Sequence, residues 1–98
     1  MPTLSQLSSE FGTPEPILLQ EALEMWLFNK IAEVDHKIAK ISQRYGAASP
    51  DDIEALIRTG TIEGHPAWED AIRLEGLLEY RGKLWKQVVD AGGPQRDS

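Results

Sequence analysis

Apolar residues recur every three or four positions along residues 17–45, a stretch that contains neither proline nor glycine. Steps of 4, 3, 4, 3 and 4 separate Leu27, Ile31, Val34, Ile38, Ile41 and Tyr45. This spacing is the pattern by which one helix packs along another. At ~1.5 Å per residue the predicted helix is roughly 43 Å long. Helices of this length in a short chain pack as hairpins or bundles, so the pattern predicts a helical partner.

The last third of the chain repeats the pattern over residues 66–91. Steps of 4, 3, 4, 3, 4 and 3 separate Ala67, Ala71, Leu74, Leu78, Arg81, Trp85 and Val88. Three further apolar residues, Leu77, Leu84 and Val89, widen this stripe. Between the two long stretches, Gly46 predicts a helix stop, and Ser49 followed by Pro50 predicts the capped start of a short helix. The sequence therefore predicts an all-α fold, an antiparallel helical hairpin of two long helices with a short connecting helix.

The predicted hairpin pairs Tyr45 with Ala67, which also places Val34 opposite Leu78. By composition, the domain organisation is an N-terminal arm over residues 1–16, the helical hairpin domain over 17–91 and a disordered polar tail over 92–98. The arm has its own helical spacing, and we expect it to form a short helix or to become ordered on a partner.

The motif "MWLF" predicts an interface at the open end of the hairpin. Four consecutive apolar residues cover about 300° of a helix, whereas one partner helix covers only one stripe. Large exposed apolar patches usually mark an interaction surface. We therefore expect a homodimer that forms a four-helix bundle, or a different partner; alternatively, the N-terminal arm folds back over the patch. The predicted interface residues are Leu4, Leu7, Phe11, Met25, Trp26, Phe28 and Trp85.

Charge and composition narrow the classes of partner. The formal net charge is −6, which disfavours nucleic acid and suits a basic protein partner. A modest basic strip, Lys37, Lys40 and Arg44, is interpreted as a solvated face. There is no cysteine, no apolar run long enough for a membrane and no signal-peptide pattern at the N-terminus, so a cytoplasmic location is expected.

Two acidic motifs have spacings that occur in metal sites of helical proteins. Glu33 and His36 have the Glu-x-x-His spacing of di-iron bundles, but the helical pattern turns His36 away from the core. Glu21 and Glu24 have the Glu-x-x-Glu spacing found in some all-α nucleotide hydrolases that bind magnesium, but the last helix supplies no second pair. His65 is interpreted as a turn residue. We therefore expect no enzymatic activity, no cofactor and no metal.

Two charged residues, Glu24 and Arg81, interrupt the apolar stripes of the long helices. A charge at such a position can fix the register of packed helices. We expect the two residues to set register, and their pairing across a dimer interface is one way to do so.

A family resemblance adds a function. Residues 40–84 combine "RYG" at the end of a long helix, the capped segment "SPDDIEALIRTGTIEG" and the helix start "PAWEDAIRLEGLLEYRGKL". This combination resembles small all-α prokaryotic antitoxin-like proteins of toxin–antitoxin pairs. The resemblance implies a protein that binds and neutralises a partner without chemistry of its own, here a basic toxin. The alternatives are a self-associating scaffold bundle and a metal-dependent nucleotide hydrolase.

Overall fold

The computed structural model of the protein describes residues 1–90 and is all-helical over that range. Its elements are α1 (Leu4–Phe11), α2 (Glu15–Tyr45), α3 (Pro50–Arg58) and α4 (Gly64–Asp90). The prediction of an all-α fold with two long helices and a short connecting helix is confirmed. The tail predicted over residues 92–98 lies outside the described residues.

The first two helices begin and end at residues with clear local causes. Thr3 and Gln6 form a reciprocal capping box at the start of α1, since each side chain accepts a hydrogen bond from the other residue's backbone N–H. Gly12 ends α1 and Gly46 ends α2, both in the left-handed conformation. This conformation is costly for residues with a Cβ atom, so glycine is the natural residue at both helix ends.

The last two helices are separated by a short connector. The Ser49 side chain accepts a hydrogen bond from the backbone N–H of Asp52 at 3.1 Å and caps α3. Asp51 and Asp52 lie in the first turn of α3, where their charge is favourable to the helix dipole. In α4, His65 has an extended backbone, so regular helical geometry begins at Pro66, where the sequence predicted it.

Two buried clusters show that α2 and α4 are antiparallel. At the closed end, where α2 leads into α3, the buried cluster consists of Ile41, Ala47, Ile53, Ala67, Ala71 and Leu74. Nearer the opposite, open end, it consists of Ile31, Val34, Leu84 and Val88. The end of α2 thus packs on the start of α4, and the middle of α2 packs on the end of α4. The helix α3 packs on α4, and α1 packs on α2.

The predicted register agrees with the structure at the closed end, where Tyr45 packs against the cluster that contains Ala67, but it is wrong towards the open end, where α4 is rotated. Val34 packs with Leu84, whereas Leu78, its predicted partner, is exposed. The residues of α4 that face α2 form an inner stripe with steps of 3, 4, 3 and 4: Leu74, Leu77, Arg81, Leu84 and Val88. This stripe has the same spacing as the predicted one, so periodicity alone could not separate them.

The molecule is elongated. Its extents are 62 × 37 × 15 Å and its radius of gyration is 19.5 Å, whereas a compact domain of about 100 residues has a radius of gyration of about 13 Å. The short helix α3 adds a third packed helix only at the closed end, through Ile53. The open end is therefore built from fewer packed elements, and it is there that apolar side chains remain exposed.

Candidate interaction surfaces

A buried carboxylate joins the two long helices at the closed end. Asp70 of α4 is only 3% exposed. Its Oδ2 accepts hydrogen bonds from the Tyr45 hydroxyl and from Arg44 Nη1, the latter at 2.7 Å, and its Oδ1 accepts one from Arg73 Nη1 at 3.1 Å. Both carboxylate oxygens thus have charged or hydroxyl donors, as a buried acid requires.

The hydrogen-bond partners shift the titration of this cluster. The hydrogen bond from Tyr45 lowers the pKa of Asp70, and the hydrogen bond and charge of Arg44 lower it further, against the opposing effect of burial. Burial raises the pKa of Tyr45, and its hydrogen bond to Asp70 raises it further. The shifts keep Asp70 ionised and Tyr45 protonated, which is the combination that their hydrogen bond needs. This arrangement clamps α2 to α4.

Sequence reasoning did not identify Asp70. The available signal was its position, since Asp70 lies three residues after Ala67 and four before Leu74, on the stripe of α4 that faces α2. An acid at such a position requires donors from the facing helix, and Arg44 and Tyr45 at the end of α2 supply them.

At the open end, the predicted interface residues are exposed. Met25 is 64%, Trp26 52%, Phe28 49% and Trp85 39% exposed. The alternative that the N-terminal arm folds back over this patch is therefore wrong for the chain as described, because α1 leaves these side chains open to solvent. The role of these residues in an interface stays a prediction.

The "MWLF" residues lie on two different faces of the hairpin. Residues two positions apart in a helix point about 200° apart, which separates Trp26 from Phe28. Phe28 meets Trp85 edge to face, with ring centroids 6.4 Å apart. Trp26 instead lines a groove with Leu23 and Leu27, and the Lys30 ammonium lies 5.7 Å from its ring centroid. The sequence predicted one patch, and the structure shows two.

The apolar residues of the N-terminal arm form a separate feature. Leu4 and Phe11 of α1 are exposed, and Leu7 is half-buried. None of the residues of α1 is fully buried. The arm is therefore a helix, the first of the two forms expected from its helical spacing, and it presents apolar side chains of its own.

Arg81, the charged residue at the centre of the inner stripe, forms a salt bridge within the chain. Arg81 Nε donates a hydrogen bond to Asp35 Oδ1 at 2.5 Å. Glu24, the partner that the sequence suggests for Arg81 across a dimer interface, accepts a hydrogen bond from Gln20 at 3.1 Å. Asp35 lies directly across the hairpin, so Arg81 finds its acid on α2 of the same protomer.

The acidic motifs do not converge on a metal site. Glu21, Glu24, Glu33 and His36 are all exposed. Within residues 1–90, no group of three or more histidine, aspartate or glutamate side chains is placed to hold a metal ion. Hard cations need several carboxylates directed at one point, so this arrangement lends no support to the nucleotide-hydrolase hypothesis. None of the helices in this part of the chain is both long and apolar enough to span a bilayer.

Comparison with known proteins places the chain in a family. A family model described as the "Uncharacterized protein MJ0235 family" matches residues 1–93, nearly the whole chain. The chain belongs to this family. No curated protein and no solved structure matches it significantly. The MJ0235 family match carries no statement of activity, so the role implied by the antitoxin-like resemblance stays a prediction.

Proposed function

We propose that the protein is a non-enzymatic protein–protein interaction module of the cytoplasm that forms a homodimer through its open end. The observation that carries this proposal is the exposure of Met25, Trp26, Phe28 and Trp85 at the open end, on the two faces described above. Aromatic side chains in this setting are typical anchors of interfaces. Two hairpins that bury the face with Phe28 and Trp85 against each other form a four-helix bundle, the common way to complete such a core.

The first test is the molar mass in solution as a function of concentration. We expect light scattering coupled to size-exclusion chromatography to give twice the 10.9 kDa mass of the chain. The double substitution Met25→Ser/Phe28→Ser is expected to weaken dimerisation by about 30-fold or more, because truncating an interface anchor typically costs at least about 2 kcal/mol.

The control for this test is Ile72→Ser. Ile72 is as exposed as Met25 but lies in the first half of α4, away from the open end. We expect this variant to dimerise like the wild type. A wild-type protein that stays monomeric throughout the accessible concentration range would contradict the proposed homodimer.

The net charge of −6 also favours a basic protein as an additional partner. Together with the resemblance of residues 40–84 to antitoxin-like proteins, this supports a role in neutralising a basic toxin. Co-expression with the adjacent open reading frame tests that role. We expect its product to be toxic alone and to co-purify with this protein, and a harmless or unbound product contradicts it.

A further inference from the structure

The second half of α4 has an apolar stripe that stays open to solvent over much of its surface, with the ring of Phe28 meeting Trp85 edge to face. This outer stripe consists of Leu78, Gly82, Trp85 and Val89, with steps of 4, 3 and 4. Each member lies one position after a residue of the inner stripe, and Leu78, Trp85 and Val89 are all exposed. A second stripe with this spacing is typical of a helix that packs against two partners at once.

The first half of α4 shows what such a stripe binds. Ala71 precedes Leu78 by seven residues, so the two occupy the same position of the repeat. Ala71 is buried in the cluster that contains Ile53 of α3. The helix α3 thus covers this side of α4 at the closed end, and the same side continues through Leu78 and Trp85, which are exposed. The open end lacks the further helix that α3 supplies at the closed end.

Gly82 lies in the middle of the outer stripe. A Cβ atom added there would have no neighbour within 4 Å, and Gly82 is not among the glycines with positive φ. The fold of the protomer therefore does not require glycine at this position. A residue without a side chain would, however, let a second helix approach closely between Leu78 and Trp85.

Charge indicates which helix fits the outer stripe. Residues 81–89 contain Arg81, Lys83 and Lys86 and no acid, whereas residues 15–29 contain Glu15, Glu21 and Glu24 and no base. Within the described part of the chain, no salt bridge joins Lys83 or Lys86 to an acid. Packing this basic end of the outer stripe on the start of α2 brings opposite charges together.

We propose that the outer stripe of α4 binds the start of α2, residues 17–28, of a second copy of the chain. On this part of α2, Ile17, Glu21, Glu24 and Phe28 follow one another at steps of 4, 3 and 4 and share a face. Ile17 and Phe28 then meet the apolar stripe, while Glu21 and Glu24 lie near Lys86. The contact is made twice in a two-fold symmetric dimer. This assignment rests on the proposed homodimer and specifies its surfaces.

The decisive experiment is a charge exchange. One variant is Glu21→Lys/Glu24→Lys and the other is Lys83→Glu/Lys86→Glu. Each homodimer would face like charges in both contacts, and we expect its dissociation constant to rise at least tenfold at low ionic strength. In an equimolar mixture the two variants are complementary in both contacts, so we expect a heterodimer with an affinity near that of the wild type. The readouts are sedimentation equilibrium for mass and native mass spectrometry for composition.

The outcomes separate this inference from the proposed function. If the wild type dimerises and both charge variants have the same dissociation constant as the wild type, the assigned surfaces are wrong but the homodimer stands. The same conclusion follows if the mixture of the two variants forms no heterodimer. A monomeric wild type overturns both. The matched control for Lys83→Glu/Lys86→Glu is Lys37→Glu/Lys40→Glu. It makes the same change in net charge at exposed positions of α2 away from the open end, and we expect it to dimerise like the wild type.

A steric test uses the two glycines inside α4. Gly76 and Gly82 both have open space where a Cβ atom would lie, but Gly76 lies outside the outer stripe. We expect Gly82→Gln to raise the dissociation constant at least tenfold and Gly76→Gln to leave it unchanged. Equal behaviour of the two variants overturns the close approach of a helix at Gly82.

Discussion

Leu74→Ala is expected to destabilise the protein by about 3 kcal/mol, because removing a buried leucine side chain loses its transfer free energy and leaves a cavity. Leu74 is fully buried, at 0% exposure, in the closed-end cluster between α2, α3 and α4. The measurement is urea unfolding followed by circular dichroism, at one fixed protein concentration because dimerisation also contributes to apparent stability.

Leu78→Ala is the matched control for this prediction. It is the same substitution one turn further along α4, at an exposed position of the outer stripe. We expect it to cost less than about 1 kcal/mol of protomer stability, as surface substitutions usually do, when unfolding is measured at a protein concentration below that of dimer formation. Comparable losses in the two variants would contradict the assignment of Leu74 to the inner stripe and Leu78 to the outer one.

Asp70→Ala is expected to cost about 2 to 3 kcal/mol, since hydrogen bonds that involve a charged group are each worth more than neutral ones and the half-buried Tyr45 hydroxyl would lose its acceptor. Arg44 and Arg73 are largely exposed and can return to water, so the loss stays below that of a fully buried ion pair. Tyr45→Phe removes one donor only and is expected to cost about half as much.

The contribution of Asp70 also depends on pH. Its pKa is lowered in the folded protein, while in the unfolded chain an aspartate titrates near ~3.9. The unfolded state therefore binds the proton more readily, and the stabilisation is fully present above pH ~4 and lost as pH falls through the lower, folded pKa. We expect the difference in unfolding free energy between wild type and Asp70→Ala to shrink below pH ~4. A difference that stays constant down to pH 2 would contradict the role of the carboxylate charge.

Local signals in the sequence predicted the helices well. The capping box at Thr3, the glycine stops at Gly12 and Gly46, and the Ser49 cap are interactions between residues a few positions apart, so the sequence contains all of their parts. The same holds for the start of regular helix at Pro66. Periodicity likewise predicted the antiparallel hairpin, because Leu27, Ile31 and Val34 form a single unambiguous stripe on α2.

The rotation of α4 could not be predicted in this way. Its inner and outer stripes have the same spacing, and the choice between Leu77 with Leu84 and Leu78 with Trp85 depends on contacts across the hairpin. The division of the open-end patch into two faces was likewise missed. Trp26 and Phe28 are close in sequence, but the helix directs them to different sides.

The cluster at Asp70 has a consequence for how the chain selects one of two near-equivalent arrangements. Turning α4 by about 100°, one residue's angular step, would exchange the two apolar stripes and still bury Leu78, Trp85 and Val89 against α2. It would also carry the Asp70 carboxylate away from the Tyr45 hydroxyl and from Arg44, which meet it only in the observed orientation. The hydrogen bonds of Asp70 at the closed end thus fix the rotation of α4 about its own axis. In that orientation the outer stripe faces outward along the whole open end.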